Sequence, residues 1–567
     1  MRHPLLFTVL ALVMSVSPWL DAASVSPVAD AARRGDRDAV RTLVRQGADV
    51  SAPQGDGMTA LHWAALNGDL ELASMLLTAG ANLRATTRLG GYMPLHLASE
   101  AGNAEMIAVL ADARANVDAR TSTGATPLML AAASGRREAV AALLDRQADP
   151  NVKELGHGQT ALMFAAAVDA AEVVQLLARR GADVNAASSF IDVKSLTVEP
   201  PTATTNRQQG AAGGAAAARG TQTPDAAARP DVPGVTRPFR YNELIVGQGG
   251  LTALHFAARD GYRRTAAALV AAGADVNLPS PADHSTPLVA AVINGHFDLA
   301  FDLLEHGANP NLANEAGVTP LYAAINVQWA PKAAYPQPRA YLQQQHTHLE
   351  LLSALLDHGA DPNARLNRKV WFASYNFDQS NVDETGATPF WRAAYAADVD
   401  AMKLLVARGA DPAILTSKAP VRRGPDDPDA GPETSLSPPV PVGGPDMPPL
   451  QAAAGPGYAK GFAANSHHVG PGGMLAAVKY LVEELHADVN ARDAEGNTAL
   501  HNAASRGDNE MVVFLVSAGA DVTAVNRFGQ TVADVANGPV QRTQPYPETI
   551  TLLRKLGAAL NKKCVSC

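Results

Sequence analysis

The sequence predicts an all-α solenoid of about twelve short helix–turn–helix units, caps included, interrupted by long low-complexity insertions. The string TALHWAA at 59–65 returns with small changes about every 33 residues, for example as TPLMLAA at 126–132 and TALHFAA at 252–258. Each copy is followed by a second apolar helical pattern that ends in GADVN or a close variant, as at 181–185. Because each unit packs only on its neighbours, the chain length counts units and does not indicate several globular domains.

Each element of a unit has a reason in the sequence. The Thr that opens the motif, such as Thr126, can accept an unpaired backbone N–H at the start of the first helix. Pro127 at the next position has a preset φ and no N–H to leave unpaired. Gly181 is expected to end the second helix in a left-handed conformation, and Asp183 and Asn185 to organise the following turn.

These motifs resemble the ankyrin repeat, with matches from about residue 27 to about residue 558. The resemblance implies β-hairpin loops between the helix pairs, and protein recognition through the hairpin tips and the exposed side of the first helix. It implies a structural role for the His of the motif, which bonds to backbone between adjacent repeats (His62, His96, His255, His501). It also implies that the next position faces the neighbouring repeat as part of the core (Trp63, Leu97, Leu130, Phe164, Phe256).

The chain divides into repeat blocks and connecting segments. Arg2, the apolar run at 5–16 and the small pair at 22–23 are typical of a signal peptide, so a periplasmic or secreted location is expected. The expected divisions are a signal peptide at 1–23, repeats at 27–187, a disordered Ala/Gly/Pro-rich insertion at 188–246, repeats at 247–412, a Pro/Gly-rich linker at 413–447, repeats with a C-terminal cap at 448–558 and a tail at 559–567.

Composition and charge exclude several functional classes. The net charge is −9 and no run of Lys and Arg exceeds a pair, which disfavours nucleic-acid binding. Beyond the signal peptide, no segment is apolar enough to span a membrane. There is no nucleophile–base–acid set, phosphate-binding loop or metal cluster, so we expect neither enzymatic activity nor a cofactor. The expected partner is a protein whose identity the sequence does not provide, and the oligomeric state is equally undetermined.

Candidate partner-binding residues fall into two groups. Tyr92, Arg259 and Asp260 occupy hairpin-tip or first-helix positions. The second group is aromatic, and most of its members lie in insertions at 329–346 and 366–383 of the central block: Trp329, Tyr335, Tyr341, Trp371, Phe372, Tyr375 and Phe377, with Tyr395 on the following helix. Trp and Tyr often dominate binding energy, but the two insertions could equally pack on each other as a local core.

Both cysteines lie in the final segment NKKCVSC, as Cys564 and Cys567. A redox dithiol needs a context that lowers the thiol pKa, a zinc site needs about four ligands, and a c-type haem site needs CxxCH. The default interpretation is a tail whose thiols oxidise after export. In the alternative function, the repeats are the docking platform of a redox-linked protein. Its C-terminal CxxC is then either a c-type haem site truncated before the haem-binding His or a dithiol site. His346, His348, His467 and His468 are weak metal candidates without further ligands at suitable spacing.

Overall fold

A computed structural model describes residues 26–193, 247–330, 339–370, 382–420, 439–456, 468–537 and 545–561, with isolated positions at 232, 235, 237 and 243. These residues form helices that pack in successive pairs, with two short strands, which confirms the predicted fold class. The chain forms two compact units, divided between Asp183 and Val184. Within the described ranges, no helix has the length and apolar character needed to cross a bilayer.

The N-terminal unit is a stack of helix pairs. Its helices are α1 (Pro27–Arg33), α2 (Arg37–Arg45), α3 (Ala60–Asn67), α4 (Leu70–Thr78), α5 (Pro94–Glu100), α6 (Ala104–Asp112), α7 (Pro127–Ala133), α8 (Arg137–Leu144), α9 (Ala161–Ala166) and α10 (Ala171–Arg179). First helices pack on first helices of the next pair, and from α4 onward second helices pack on second helices. The core between them consists mainly of Ala, Leu and Val, whose small side chains allow close helix approach.

The C-terminal unit repeats the same pairing. Its helices are α11 (Ala253–Asp260), α12 (Arg263–Ala271), α13 (Pro287–Ile293), α14 (Phe297–Glu305), α15 (Pro320–Gln328), α16 (His348–Asp357), α17 (Pro389–Tyr395), α18 (Val399–Ala407), α19 (Pro449–Ala453), α20 (Gly473–Lys479), α21 (Ala499–Ser505), α22 (Asn509–Ser517), α23 (Val532–Ala536) and α24 (Pro547–Lys555). Its strands, β1 (Phe190–Asp192) and β2 (Gly247–Gly249), pair antiparallel. Because β1 lies within the insertion predicted as disordered at 188–246, the first residues of that segment are ordered by pairing with the chain that follows it.

The helix ends confirm the predicted capping. The Thr126 hydroxyl accepts the N–H of Met129, and Thr286 and Thr388 cap their first helices in the same way. Several second helices start at Asp or Asn, as where the Asp69 carboxylate accepts the N–H of Leu72 at 3.0 Å. Gly181 follows the second helix with φ +88°, a conformation that a side chain disfavours.

Neighbouring repeats are joined by an asparagine clamp. The Asn277 Nδ2 donates to the Gly307 carbonyl at 3.0 Å, and its Oδ1 accepts the N–H of Asn309 at 2.7 Å. The same pair of bonds recurs at Asn151, Asn311, Asn363 and Asn490. The GADVN motif therefore joins repeats as well as shaping its own turn.

The hairpin tips form a second connection between repeats. The Leu155 N–H donates to the Thr123 carbonyl of the preceding tip at 2.8 Å, and Arg88 bonds to Asp56 in the same way. Gly124 lies at this approach with φ +82°, and a Cβ there would stand 2.8 Å from the Leu155 nitrogen. Apart from β1 and β2, the described hairpins are tight turns without extended strands, closed by bonds within the tip such as that from the Gln54 N–H to the Met58 carbonyl.

One repeat of the C-terminal unit contains an extra residue. The chain after α20 makes a π-helical turn at Tyr480–Glu484, and the Ala487 N–H reaches the Leu481 carbonyl, one residue further back than usual. His486 stands at φ +53° where most other repeats have Gly. The longer spacing in the sequence is the signal of this turn, and it was not recognised in the sequence analysis.

Candidate binding surface

The N-terminal unit exposes its large apolar side chains on one set of positions. In its described residues, the large apolar side chains that are exposed are Leu89 (87%) and Leu155 (71%) at hairpin tips, and Leu66 and Val168 at the ends of first helices. These are the positions through which the resemblance implies recognition. Their exposure makes these tips and helix ends candidate contact points for a partner.

Tyr92 lies in a groove on this surface. The groove has a volume of about 460 Å³, and its apolar lining comes from Met58, Leu89, Tyr92 and Leu97. The His62 Nε2–H donates to the Tyr92 carbonyl at 3.0 Å, which holds the tip against the preceding repeat. The structure thus places this predicted residue at a concave, mostly apolar site.

The position after the motif His is only partly core. Leu97 and Phe256 are buried, as expected, but Trp63, Leu130 and Phe164 are half-buried and border the solvent. The Trp63 Nε1–H donates to Gln54 at 2.7 Å. The expectation that this position belongs to the core is therefore confirmed for Leu97 and Phe256 and only in part for the other three residues.

His62, His96 and His255 have the structural role that the resemblance implies. The buried His501 accepts the Thr498 N–H at 3.1 Å through its Nδ1, but within the described residues its Nε2 makes no hydrogen bond to the next repeat. The Nδ1 of His62 accepts the Thr59 N–H at 3.1 Å, while His96 and His255 donate from Nε2 to carbonyls of the next repeat at 3.0 Å. Burial lowers the pKa of His62, His96 and His255, and it lowers the pKa of His501 to about 4. A neutral imidazole is thus favoured inside the stack.

In the C-terminal unit, the equivalent surface carries paired charges. Arg259 and Asp260 form two hydrogen bonds at 2.8 Å, and the guanidinium lies 5.1 Å from the Phe256 ring centroid. The structure therefore places these two predicted residues side by side, and their charged groups pair with each other. A partner would have to compete with this ion pair.

Trp329 and Tyr341 pack on the repeats. The Trp329 Nε1–H donates to the Asp398 carboxylate at 2.7 Å, and the half-buried Tyr341 stacks on Phe297 with the centroids 6.2 Å apart. His346 stacks on Phe301 at 4.0 Å. The described ends of this insertion therefore pack on the repeats, and mutual packing of the two insertions stays a prediction.

Asp398 is the centre of this packing. Its carboxylate caps α18 through the Ala401 N–H at 3.1 Å, and it also binds Trp329 and the His348 Nε2 at 2.8 Å. Burial acts to raise the pKa of Asp398, but the hydrogen bonds from His348, Ala401 and Trp329 outweigh it and lower the pKa. Sequence analysis missed this role, since an Asp N-cap at Asp36, Asp69 or Asp508 looks the same in the sequence.

A second acid holds the far end of the insertion. Asp298 accepts the backbone N–H groups of Gln345 and His346 at 3.1 Å and the His346 Nδ1–H at 2.8 Å. Burial opposes ionisation of Asp298, yet these bonds and the charge of Arg263 lower its pKa. His346 and His348 are therefore occupied by carboxylates.

Tyr395 requires a correction. The expected exposed position is wrong, because its ring is 3% exposed and stacks on Trp391 with centroids 5.4 Å apart. The Arg392 Nη2 donates to the Trp329 carbonyl at 3.1 Å, and Arg392 also lies against the Tyr395 ring. The ring therefore contributes to packing within the repeat, beside the bond that joins Arg392 to Trp329.

Several predicted residues lie outside the described residues. They are Tyr335, Trp371, Phe372, Tyr375 and Phe377 of the aromatic insertions, His467, and the two cysteines Cys564 and Cys567. Within the parts of the chain that are described, no group of three or more His, Cys, Asp or Glu side chains is arranged to hold a metal ion.

A cluster of carboxylates at the C-terminal hairpins was also missed. Asp493 accepts the N–H groups of Glu495 and Asn497 at 2.9 and 2.8 Å, and the Ala494 N–H donates to Asp446 at 2.9 Å. Burial and repulsion from Glu495 and Asp446 raise the pKa of Asp493 to about 7. Burial likewise raises the pKa of Asp446. Asp446 and Asp493 are distant in sequence, so only a comparison of equivalent positions in successive hairpin tips could have predicted that they meet.

Comparison with known proteins agrees with this architecture. Models described as ankyrin repeats match residues 28–77, 83–154, 115–188, 254–330, 385–417 and 480–536, which together cover more than half of the chain. Among curated proteins, the chain is 37% identical over 91 residues to ankyrin repeat and SAM domain-containing protein 6 of Rattus norvegicus. It is 39% identical over 102 residues to ankyrin repeat and SOCS box protein 16 of Mus musculus, and 35% identical over 127 residues to a putative ankyrin repeat protein of Rickettsia felis.

Each alignment covers only a part of this chain and a part of the relative. They cover 16%, 18% and 22% of this chain, and 10%, 19% and 50% of the respective relatives. The similarity therefore concerns the repeats and not the relatives as whole proteins.

Proposed function

This chain belongs to the ankyrin repeat family, and we propose that it is a non-catalytic scaffold that binds a protein partner through hairpin tips and first helices. Ankyrin repeats generally mediate protein–protein interaction. The observation that supports a location for this activity is the exposure of Leu66, Leu89, Leu155 and Val168 on one set of positions of the N-terminal unit. Burial of such side chains is the main source of association energy.

The proposed partner is met outside the cytoplasm. This part of the proposal comes from the N-terminal sequence pattern at 1–23. The redox alternative, with Cys564 and Cys567 at its centre, stays a prediction from sequence.

Affinity capture with the full-length protein tests the proposed surface. The Leu89→Ser/Leu155→Ser double variant is compared with the wild type and with Leu342→Ser, a control whose leucine is 65% exposed on the central insertion. We expect the specifically retained proteins, measured by mass spectrometry, to fall about tenfold with the double variant, since losing a buried anchor costs about 1.4 kcal/mol or more. The Leu342 variant should retain them.

A second variant separates the two groups of candidates. Trp371, Phe372, Tyr375 and Phe377 are replaced together by Ser. Loss of the partner from this variant alone would place recognition on the aromatic insertion and contradict the N-terminal surface. Circular dichroism of each variant checks that the helical content is unchanged.

A further inference from the structure

The groove beside Tyr92 carries charges that bear on the nature of the partner. Its rim holds the side chains of Asp56, Arg88 and Glu100, and its floor is apolar. Glu100 is the last residue of α5 and is exposed, while Arg88 projects from the neighbouring hairpin tip. The rim therefore contains two carboxylates and one guanidinium around an apolar centre.

The Glu100 carboxylate is available to a partner. Among the described residues, neither Glu100 nor Arg88 makes a side-chain hydrogen bond or an ion pair, whereas the Asp56 carboxylate already accepts the Met58 N–H at 2.9 Å. By contrast, the Glu154 carboxylate of a later tip is occupied by the N–H groups of His157 and Gln159. A cation brought to Glu100 would replace no internal contact.

We propose that this groove binds a protein segment presenting a bulky apolar side chain next to a basic one. The inference rests on the proposed function and specifies the partner's chemistry. The apolar side chain would lie against Met58, Tyr92 and Leu97, and the basic group would pair with Glu100 as water is excluded. The excess of carboxylates at the rim and the net charge of −9 both favour the approach of a basic segment.

Three labelled peptides of about 12 residues test the proposal by fluorescence anisotropy. They share a Gly/Ser background and differ in their central pair, which is Trp-Lys, Trp-Glu or Ala-Lys. We expect the full-length protein to bind the Trp-Lys peptide at least about fivefold more tightly than either of the others, about 1 kcal/mol. The Glu100→Lys variant should abolish or reverse the preference for Trp-Lys over Trp-Glu. Glu105→Lys, an exposed change on α6 outside the groove, should leave it intact.

The outcomes separate this inference from the proposed function. Equal binding of Trp-Lys and Trp-Glu, or a preference that survives Glu100→Lys, would overturn the charge selection while leaving an apolar binding surface in place. Absence of binding by all three peptides, or no difference between Trp-Lys and Ala-Lys, would overturn the groove as the site. Partner capture with Leu155→Ser alone, whose leucine lies outside the groove, tests the proposed function separately, since it depends neither on the groove nor on the partner's charge.

Discussion

The two units share one repeat but complete the same surface differently. In the N-terminal unit, two first helices end close to an exposed apolar residue, Leu66 or Val168, and the tips add Leu89 and Leu155. In the C-terminal unit, Arg259 and Asp260 neutralise each other at the position equivalent to Leu66, and Tyr395 is buried against Trp391. The repeat therefore determines a scaffold, while a few variable positions and insertions determine whether the scaffold is open to a partner.

The largest expected difference between the units concerns two equivalent N-cap residues. Asp69→Ala in the N-terminal unit removes an N-cap and a half-exposed contact to Arg37, so we expect a loss of about 1 kcal/mol. Asp398→Ala should cost about 3 kcal/mol, because the buried polar groups of Trp329 and His348 also lose their acceptor. Urea unfolding followed by circular dichroism measures both. Similar losses would show that the insertion is not anchored through Asp398.

The carboxylate cluster should weaken the C-terminal unit at neutral pH. The folded-state pKa of Asp493 is raised to about 7 from 3.8, so its effect on the free energy of unfolding becomes unfavourable as the pH rises through this window. Asp493→Asn should therefore stabilise by about 2 kcal/mol at pH 7.5 and by little below pH 4. Asn314 and Asn526 already make the equivalent bonds in other tips, so the amide fits. A gain that is independent of pH would contradict the electrostatic cause.

Acid should affect the scaffold of both units alike, since each contains buried motif histidines. Their folded-state pKa values are below the ordinary value, so the unfolded chain binds more protons and the free energy of unfolding falls as the pH drops below about 6.5. His501→Gln should reduce this loss by about 1 kcal/mol at pH 5. Gln451 provides a precedent, because its Nε2 donates to the Ala491 carbonyl at 2.9 Å. Thermal melts between pH 4 and 8 measure the effect, and an unchanged pH profile would exclude it.

The smallest effect is expected at the charged surface of the C-terminal unit. Arg259→Ala should change the free energy of unfolding by less than about 0.5 kcal/mol, because exposed ion pairs contribute little. Partner capture with this variant tests whether the C-terminal unit contributes to the binding surface. Unchanged retention would assign recognition to the N-terminal unit, whereas lost retention would extend the binding surface to the C-terminal unit.

The scaffold could be predicted from sequence because its determinants are local. Thr126, Pro127 and Gly181 act within one turn of chain, and the motif His acts on the adjacent repeat, so the repeated pattern shows their roles. The candidate surface was predicted only in part. Tyr92 lies in the groove, but Leu89 and Leu155 were not named, although an exposed leucine in a tip next to glycine was a readable signal.

The sequence by itself determined the repeat, its helix ends and its family, because each follows from residues at fixed short spacing. Only the tertiary structure decided which aromatic rings are covered, that Asp398 joins Trp329 to His348, and that Asp493 meets Asp446. These contacts join residues about 50 or more positions apart or lie beside insertions of irregular length. Their energies depend on burial and on neighbouring charges, which no local pattern contains.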